Sequence, residues 1–154
     1  MNTTNSMQTK KKNILIPLIL GIIVVCICVS PFLIIPVVND LRANKIVHEL
    51  TEHPLPPNAK IIEMYSAAGK LVGNGDGMDY FGAILIQSDA GYDTVKQNYA
   101  ASGFFVEKQD GQLIKQSDKK LYFKTNITGD NYYIIYKSKW EENPLFWVFD
   151  IRGA

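Results

Sequence analysis

The apolar positions of this chain fall into two regimes. From Ile14 to Val38 they are continuous: 25 residues without Asp, Glu, Lys, Arg or His, preceded across Asn13 by Lys10, Lys11 and Lys12. At ~1.5 Å per residue a helix of that length covers roughly 37 Å, enough for a ~30 Å hydrocarbon core with some tilt. The run is longer than the ~7–15 residues of a secretory h-region, no small-x-small cleavage site follows it, and Asn39, Asp40, Leu41 and Arg42 suit a membrane exit. A retained transmembrane helix over 14–38 is the expectation, contacting membrane lipid along its length. Pro17, Pro31 and Pro36 should kink it, and membrane helices tolerate them.

Beyond Val38 the apolar positions become periodic. Ala43, Ile46, Val47 and Leu50 fall at i, i+3, i+4 and i+7, which predicts an amphipathic juxtamembrane helix over 39–53. Its stripe either docks on the following domain, pairs with another copy, or lies on lipid headgroups. Pro54, Pro56 and Pro57 end that helix and force an extended lead-in. From there the period is that of strands, expected at Lys60 to Ser66 and Tyr80 to Gln87. The second is nearly continuous in apolar residues, as for a central strand covered on both faces. A turn is expected at Gly73-Asn74-Gly75-Asp76-Gly77 between them.

Ser88 and Asp89 offer helix caps, Tyr92, Val95 and Tyr99 follow at helical spacing, and Gly103 is placed to end that helix. Further strands are expected at Phe104 to Lys108, Gln112 to Gln116, Leu121 to Ile127, Tyr132 to Lys137 and Leu145 to Arg152, arranged as a meander. The expected fold class is therefore a single transmembrane helix plus a small two-layer α+β domain, an antiparallel sheet with one short helix, ββαββββ. The expected organisation is a tail at 1–13, the membrane helix at 14–38, the juxtamembrane helix at 39–53 and the domain at 54–154. About a hundred residues suffice for one core, so a chain starting near His53 is expected to fold by itself.

Charge and cysteine usage narrow this picture. Three lysines precede the apolar run against Arg42 and Lys45 after it, so the N-terminus is expected to stay cytoplasmic and the C-terminal domain to face outward from the cell membrane. Cys26 and Cys28 both lie inside the run, which removes a disulfide scaffold, a thiol nucleophile and a cysteine zinc site from everything after Asn39. A lipoprotein anchor needs a small residue before the modified cysteine, and Val25 and Ile27 stand there instead. From Pro54 onward 11 Lys/Arg face 12 Asp/Glu, too balanced for nucleic acid.

Candidate chemistry is sparse. The glycine loop matches neither GxxxxGK nor GxGxxG, and Asn74, Asp76 and Asp79 lack the spacing and distal Glu of a calcium loop. His48 and His53, about 140° apart on a helical wheel, make a poor metal pair, and both are placed outside the folded domain. Asp76, Asp79, Glu141 and Glu142 are the acids formally open to paired-carboxylate hydrolysis, and none sits in a recognisable setting. Asn126-Ile127-Thr128 is a glycosylation sequon in form only, since it falls in a strand. No catalytic residue, metal or cofactor is therefore expected. The aromatic residues crowding the last two strands are more informative. Core packing accounts for most of Tyr132, Tyr133, Tyr136, Trp140, Phe146 and Trp147, and Tyr136, Trp140, Phe146 and Trp147 are the candidates for a partner-binding surface, Trp140 in a loop-like setting before Asn143-Pro144.

Leu55-Pro56-Pro57-Asn58-Ala59 before a strand, with Ser88-Asp89 and a helix ending Tyr99-Ala100-Ala101-Ser102-Gly103-Phe104, resembles small, largely uncharacterised extracytoplasmic domains of Gram-positive bacterial membrane proteins and lipoproteins. The resemblance covers roughly residues 54–110 and implies location and fold class, not an activity. The expected function is that of a single-pass, non-enzymatic envelope protein whose domain binds another membrane or envelope protein. A cell-wall glycan module is the alternative, and a hydrolase comes third.

Overall fold

The computed structural model describes residues 3–69, 77–109, 115–116, 119–120, 123–125, 127, 129–142 and 149–150, with side chains of the first helix described from Leu15 onward. One helix, α1 (Thr3–Glu52), takes in both expected helical stretches without a break. It passes through Pro17, Pro31 and Pro36. At Pro31 the missing N–H would have served the carbonyl of Ile27, and the Ser30 hydroxyl donates to that carbonyl instead at 3.1 Å. The helix is long and apolar enough to cross a membrane, and its apolar window is wholly exposed. It ends at Glu52, two residues short of Pro54.

The remaining elements are β1 (Lys60–Gly69), β2 (Gly77–Gln87), α2 (Tyr92–Ala100), β3 (Phe105–Gln109), β4 (Lys115–Gln116), β5 (Lys119–Lys120) and β6 (Tyr132–Glu142). Four strands form one antiparallel sheet in the order β1-β2-β6-β3, and β4 and β5 form a separate two-residue ladder. The expected α+β class and central β2 hold: every residue from Gly77 to Ile86 is buried. The meander does not. β6 lies between β2 and β3, because its Tyr133, Ile134 and Ile135 are buried on both faces. The short β3, with Glu107 and Lys108, takes the edge, where charged side chains stay solvated.

The expected strand count is also corrected. Within 112–127 the described residues hold only the two-residue strands β4 and β5, and Phe149 and Asp150 are not in a strand. The rest of the expected closing strand, the turn residues 73–76 and the Asn126 sequon lie outside the described residues.

Helix α2 buries Val95 and Tyr99, as their spacing requires. Its N-cap is Gly91 and not Ser88 or Asp89; the Ser88 hydroxyl accepts from the Ala90 N–H in the turn before it. Gly103, at φ +70°, ends the turn after the helix, as the sequence suggests.

The two sheet faces are covered differently. On the helix face, Ile46 and Leu50 of α1 and Val95 and Tyr99 of α2 pack with Met78, Tyr80, Ile84, Ile86, Tyr133 and Ile135. On the far face, Phe81, Ala83, Leu85 and Ile134 meet Tyr65, Tyr136, Phe123 and Ile127. The α1 stripe thus docks on the domain, and Ala43 and Leu50 are completely buried. The expectation that residues 54–154 carry a core of their own is corrected, because part of that core is contributed by residues 43–50. His53, placed outside the domain by its sequence position, packs at a tilt on Tyr99 with ring centroids 4.7 Å apart and edge-on to Phe104.

Glu63 of β1 ties down the far-face segment. Its carboxylate accepts from the backbone N–H groups of Lys124 and Thr125 at 2.9 and 2.8 Å and from the Thr125 hydroxyl at 2.7 Å. Desolvation pushes its pKa up, but these hydrogen bonds and the Lys124 charge outweigh it and hold the carboxyl below its ordinary 4.5. A depressed folded pKa means that the bonds stabilise fully above the unfolded value and are lost as pH falls through the folded one. Thermal melts of the full chain should therefore lose stability as acid is added below pH 4.5, and Glu63→Gln should flatten that limb. Parallel pH profiles for the two proteins would show that the clamp contributes nothing.

Candidate functional site

Two surfaces gather chemistry-bearing side chains. The first lies on the far face, where a row of rings crosses the whole sheet. Phe105 stacks on Tyr136 at 5.3 Å and Tyr136 on Phe81 at 5.8 Å; Phe81 then meets Tyr65 at 6.3 Å and Tyr65 meets Phe123 at 6.4 Å. Cross-strand aromatic neighbours of this kind stiffen a sheet face. Burial, together with the hydrogen bond its hydroxyl donates to Glu107 at 2.8 Å and that residue's charge, pushes the Tyr136 hydroxyl up to about 12. Tyr136 is therefore a neutral donor fixed within the row.

The row ends in the open. Phe105 is 59% exposed, and Trp140, on the same face of β6, is 55% exposed. Trp140 is not in a loop-like setting. β6 continues to Glu142, and Trp140 pairs with Asp79 of β2. Its indole lies across the backbone of Gly77, where a Cβ would stand 2.5 Å from Nε1. β3 pairs with β6 only from Tyr132 to Tyr136. Among the described residues, then, the stretch from Lys137 to Glu142 has a strand on its β2 side alone.

Of the four sequence-derived candidates, Tyr136 and Trp140 share this face, while Phe146 and Trp147 lie outside the described residues. Phe105 was missed. The Phe104-Phe105 doublet carried the signal, since consecutive strand residues point to opposite faces. Phe104 packs toward α2 and Phe105 must turn away.

The second surface is polar and sits on the helix face, where α1 leaves the apolar run. Asn39, 1% exposed, donates to Asp150 at 2.8 Å and accepts from the Tyr80 hydroxyl at 3.0 Å. The guanidinium of Arg42 donates to the same hydroxyl and to Glu141, both at 3.1 Å. Beside them Phe149 packs edge-on to Phe32, a residue of the apolar run, at 5.3 Å. A cleft of about 300 Å³ opens here, with Arg42, Lys45 and Glu49 of α1 on one wall and Tyr80, Lys139 and Glu141 on the other. Glu141 is paired with both Lys139 and Arg42, and Lys137 reaches Glu49 at 3.0 Å. The Lys139 hydrogen bond, with the Lys139 and Arg42 charges, holds the Glu141 carboxyl below the usual range although burial opposes it.

Of the acids considered for hydrolysis, Asp79 is buried beside Trp140 and Glu141 is neutralised by cations, while Asp76 and the side chain of Glu142 lie outside the described residues. Sequence reading could not anticipate the cleft, because Arg42 and Glu141 are 99 residues apart. The sequence matches no protein-family model, no curated protein and no solved structure.

Proposed function

We propose that the protein is a single-pass membrane protein, N-terminus inside, whose outward-facing domain captures another membrane or envelope protein without chemistry of its own. The observation carrying this reading is the far-face row of rings that ends in exposed Phe105, with exposed Trp140 on the same face in the stretch of β6 that, among the described residues, pairs with β2 alone. An added strand would satisfy the backbone groups of that stretch that have no strand partner among the described residues, and the two rings would anchor its side chains. Trp and other large aromatics carry interface energies of ~2 kcal/mol or more at hot spots. The continuity of α1 from apolar run to core supports a fixed orientation of this surface relative to the membrane.

A photo-crosslinking side chain at position 105 should give an adduct of discrete mass in intact cells, degraded by external protease on protoplasts. Trp140→Ala should abolish most of that adduct while lowering the melting temperature by only a few degrees, the response to ~1 kcal/mol. Absence of a discrete adduct, or an adduct unmoved by Trp140→Ala, refutes the protein-binding surface. Saturable quenching of tryptophan fluorescence by wall fragments would put a glycan in its place.

A further inference from the structure

We propose that the cleft between α1 and strands β2 and β6 binds the phosphate of an anionic lipid headgroup. The inference rests on the reading that the apolar run crosses a membrane, and it concerns the helix face, not the partner surface across the sheet.

Charge balance is the first argument. Around the cleft stand Arg42, Lys45, Lys137 and Lys139 against Glu49, Glu141 and, behind Asn39, the buried Asp150, four positive groups against three negative. Both cleft-lining carboxylates already have a cation. Glu49 is held by Lys137, and Glu141 by Lys139 and Arg42. Among the described residues Lys45 has no ion-pair partner and is exposed at the cleft wall. Arg42 directs one guanidinium nitrogen at both Tyr80 and Glu141. Its second terminal nitrogen and its Nε have no hydrogen-bond partner among the described residues, which leaves donors in the planar fork that matches phosphate oxygens. An anion entering the cleft would thus meet surplus charge and unspent donors, with Ile46 as part of the lining.

Position decides which anion. Arg42 and Lys45 come four and seven residues after Val38, the last residue of the apolar run, which along a helix is about 6 and 10 Å. The headgroup layer is roughly 5–8 Å thick on each side of the hydrocarbon. Arg42 lies at that depth, and the long stem of Lys45 lets its ammonium reach down to it. The opposite wall is level with them: Tyr80 pairs in register with Lys139, and the Tyr80 hydroxyl reaches Asn39. Leu41, 63% exposed on α1 beside Arg42, extends the apolar surface to the same height. A phosphate fixed to acyl chains is delivered to this cleft at high local concentration, which a soluble phosphate is not.

Native mass spectrometry of the full chain in detergent, titrated with phosphatidylglycerol or with phosphatidylcholine of the same acyl chains, tests the proposal. Phosphatidylglycerol should be retained in preference. Lys45→Gln with Lys139→Gln should weaken that retention about tenfold or more, as expected for removing two interfacial cations. Lys45→Gln alone should account for part of the loss without moving the melting temperature. Lys96→Gln, on α2, should change neither lipid. Equal retention of the two lipids, or full retention by the double variant, overturns the site. Displacement by millimolar inorganic phosphate overturns the lipid as its source. Release of the chain from membranes by alkaline carbonate would instead overturn the membrane reading itself.

Discussion

A chain that begins at His53 is expected to melt without cooperativity and to aggregate, whereas one that begins at Asn39 should fold. The difference lies in what residues 39–52 supply. Leu50 and Ala43 are completely buried and Ile46 is 6% exposed, with Leu50 and Ile46 packed against the central strands. Burying one Leu or Ile side chain contributes ~1.5–3 kcal/mol, and the unfilled space left by removal adds to the loss. Two such side chains approach the lower end of the ~5–15 kcal/mol that stabilises a domain. The same truncation removes the Asn39 and Arg42 hydrogen bonds to Tyr80, the Glu49–Lys137 pair, and the bond from Ser66 to Asn44. It also exposes Tyr80, Ile84 and Ile135 to water. Leu50→Ala in the full chain should reproduce part of the effect, about 2–5 kcal/mol. If the two truncated chains melt cooperatively at the same temperature, α1 is a passenger and the core closes without it.

This is also where sequence reading stopped short. The Ala43–Leu50 stripe identified a helix face that needs cover, and β2 was recognised as doubly covered from its unbroken apolar run. Neither pattern says that one satisfies the other. Periodicity reports which side of an element is apolar and is silent on its partner, so docking, self-pairing and lipid contact were equally consistent with the stripe. The misplacement of β6 has a similar origin. Adjacent strands usually pair, and a meander is the simplest arrangement of strands joined by Asp110-Gly111 and Gly129-Asp130. What moves β6 inward is that three consecutive residues, Tyr133 to Ile135, are buried, which requires cover on both faces.

The candidate surfaces divide along the same line. Trp140 and Tyr136 were legible because large aromatics in excess of one core stand out in composition, and Phe105 was available from its doublet. The cleft was not legible at all. Its charges come from α1 and β6 and acquire meaning only when Tyr80 brings Asn39 and Arg42 to the sheet. A fold that fixes the helix to the domain through buried polar groups gives both surfaces a set position relative to the apolar run of α1, provided that contact stays close. The contact depends on one missing side chain.

Gly82→Ala should destabilise the protein by about 1–3 kcal/mol, the usual cost of overpacking, although alanine is the better residue for a strand interior on entropy alone. Gly82 lies in central strand β2 directly beneath α1. A Cβ there would stand 2.8 Å from Cγ2 and 2.9 Å from Cβ of Ile46, and 3.0 Å from the backbone nitrogen of Val47. None of these atoms can yield easily. Ile46 is β-branched and stiff at χ1, and the Val47 nitrogen belongs to the helix backbone. The helix must therefore lift, and the lift should be felt by the pairs on either side, Arg42 with Tyr80 and Glu49 with Lys137. Removing the obstructing methyl should relieve part of the strain, so Gly82→Ala is expected to cost less in an Ile46→Ala background than alone. Denaturant melts of the four proteins of the cycle measure the coupling directly. Strict additivity would mean that the close approach of helix and strand is not what glycine secures. A coupled pair, with phosphatidylglycerol retention falling alongside stability in Gly82→Ala, would show that the separation of α1 from the sheet sets the shape of the headgroup cleft.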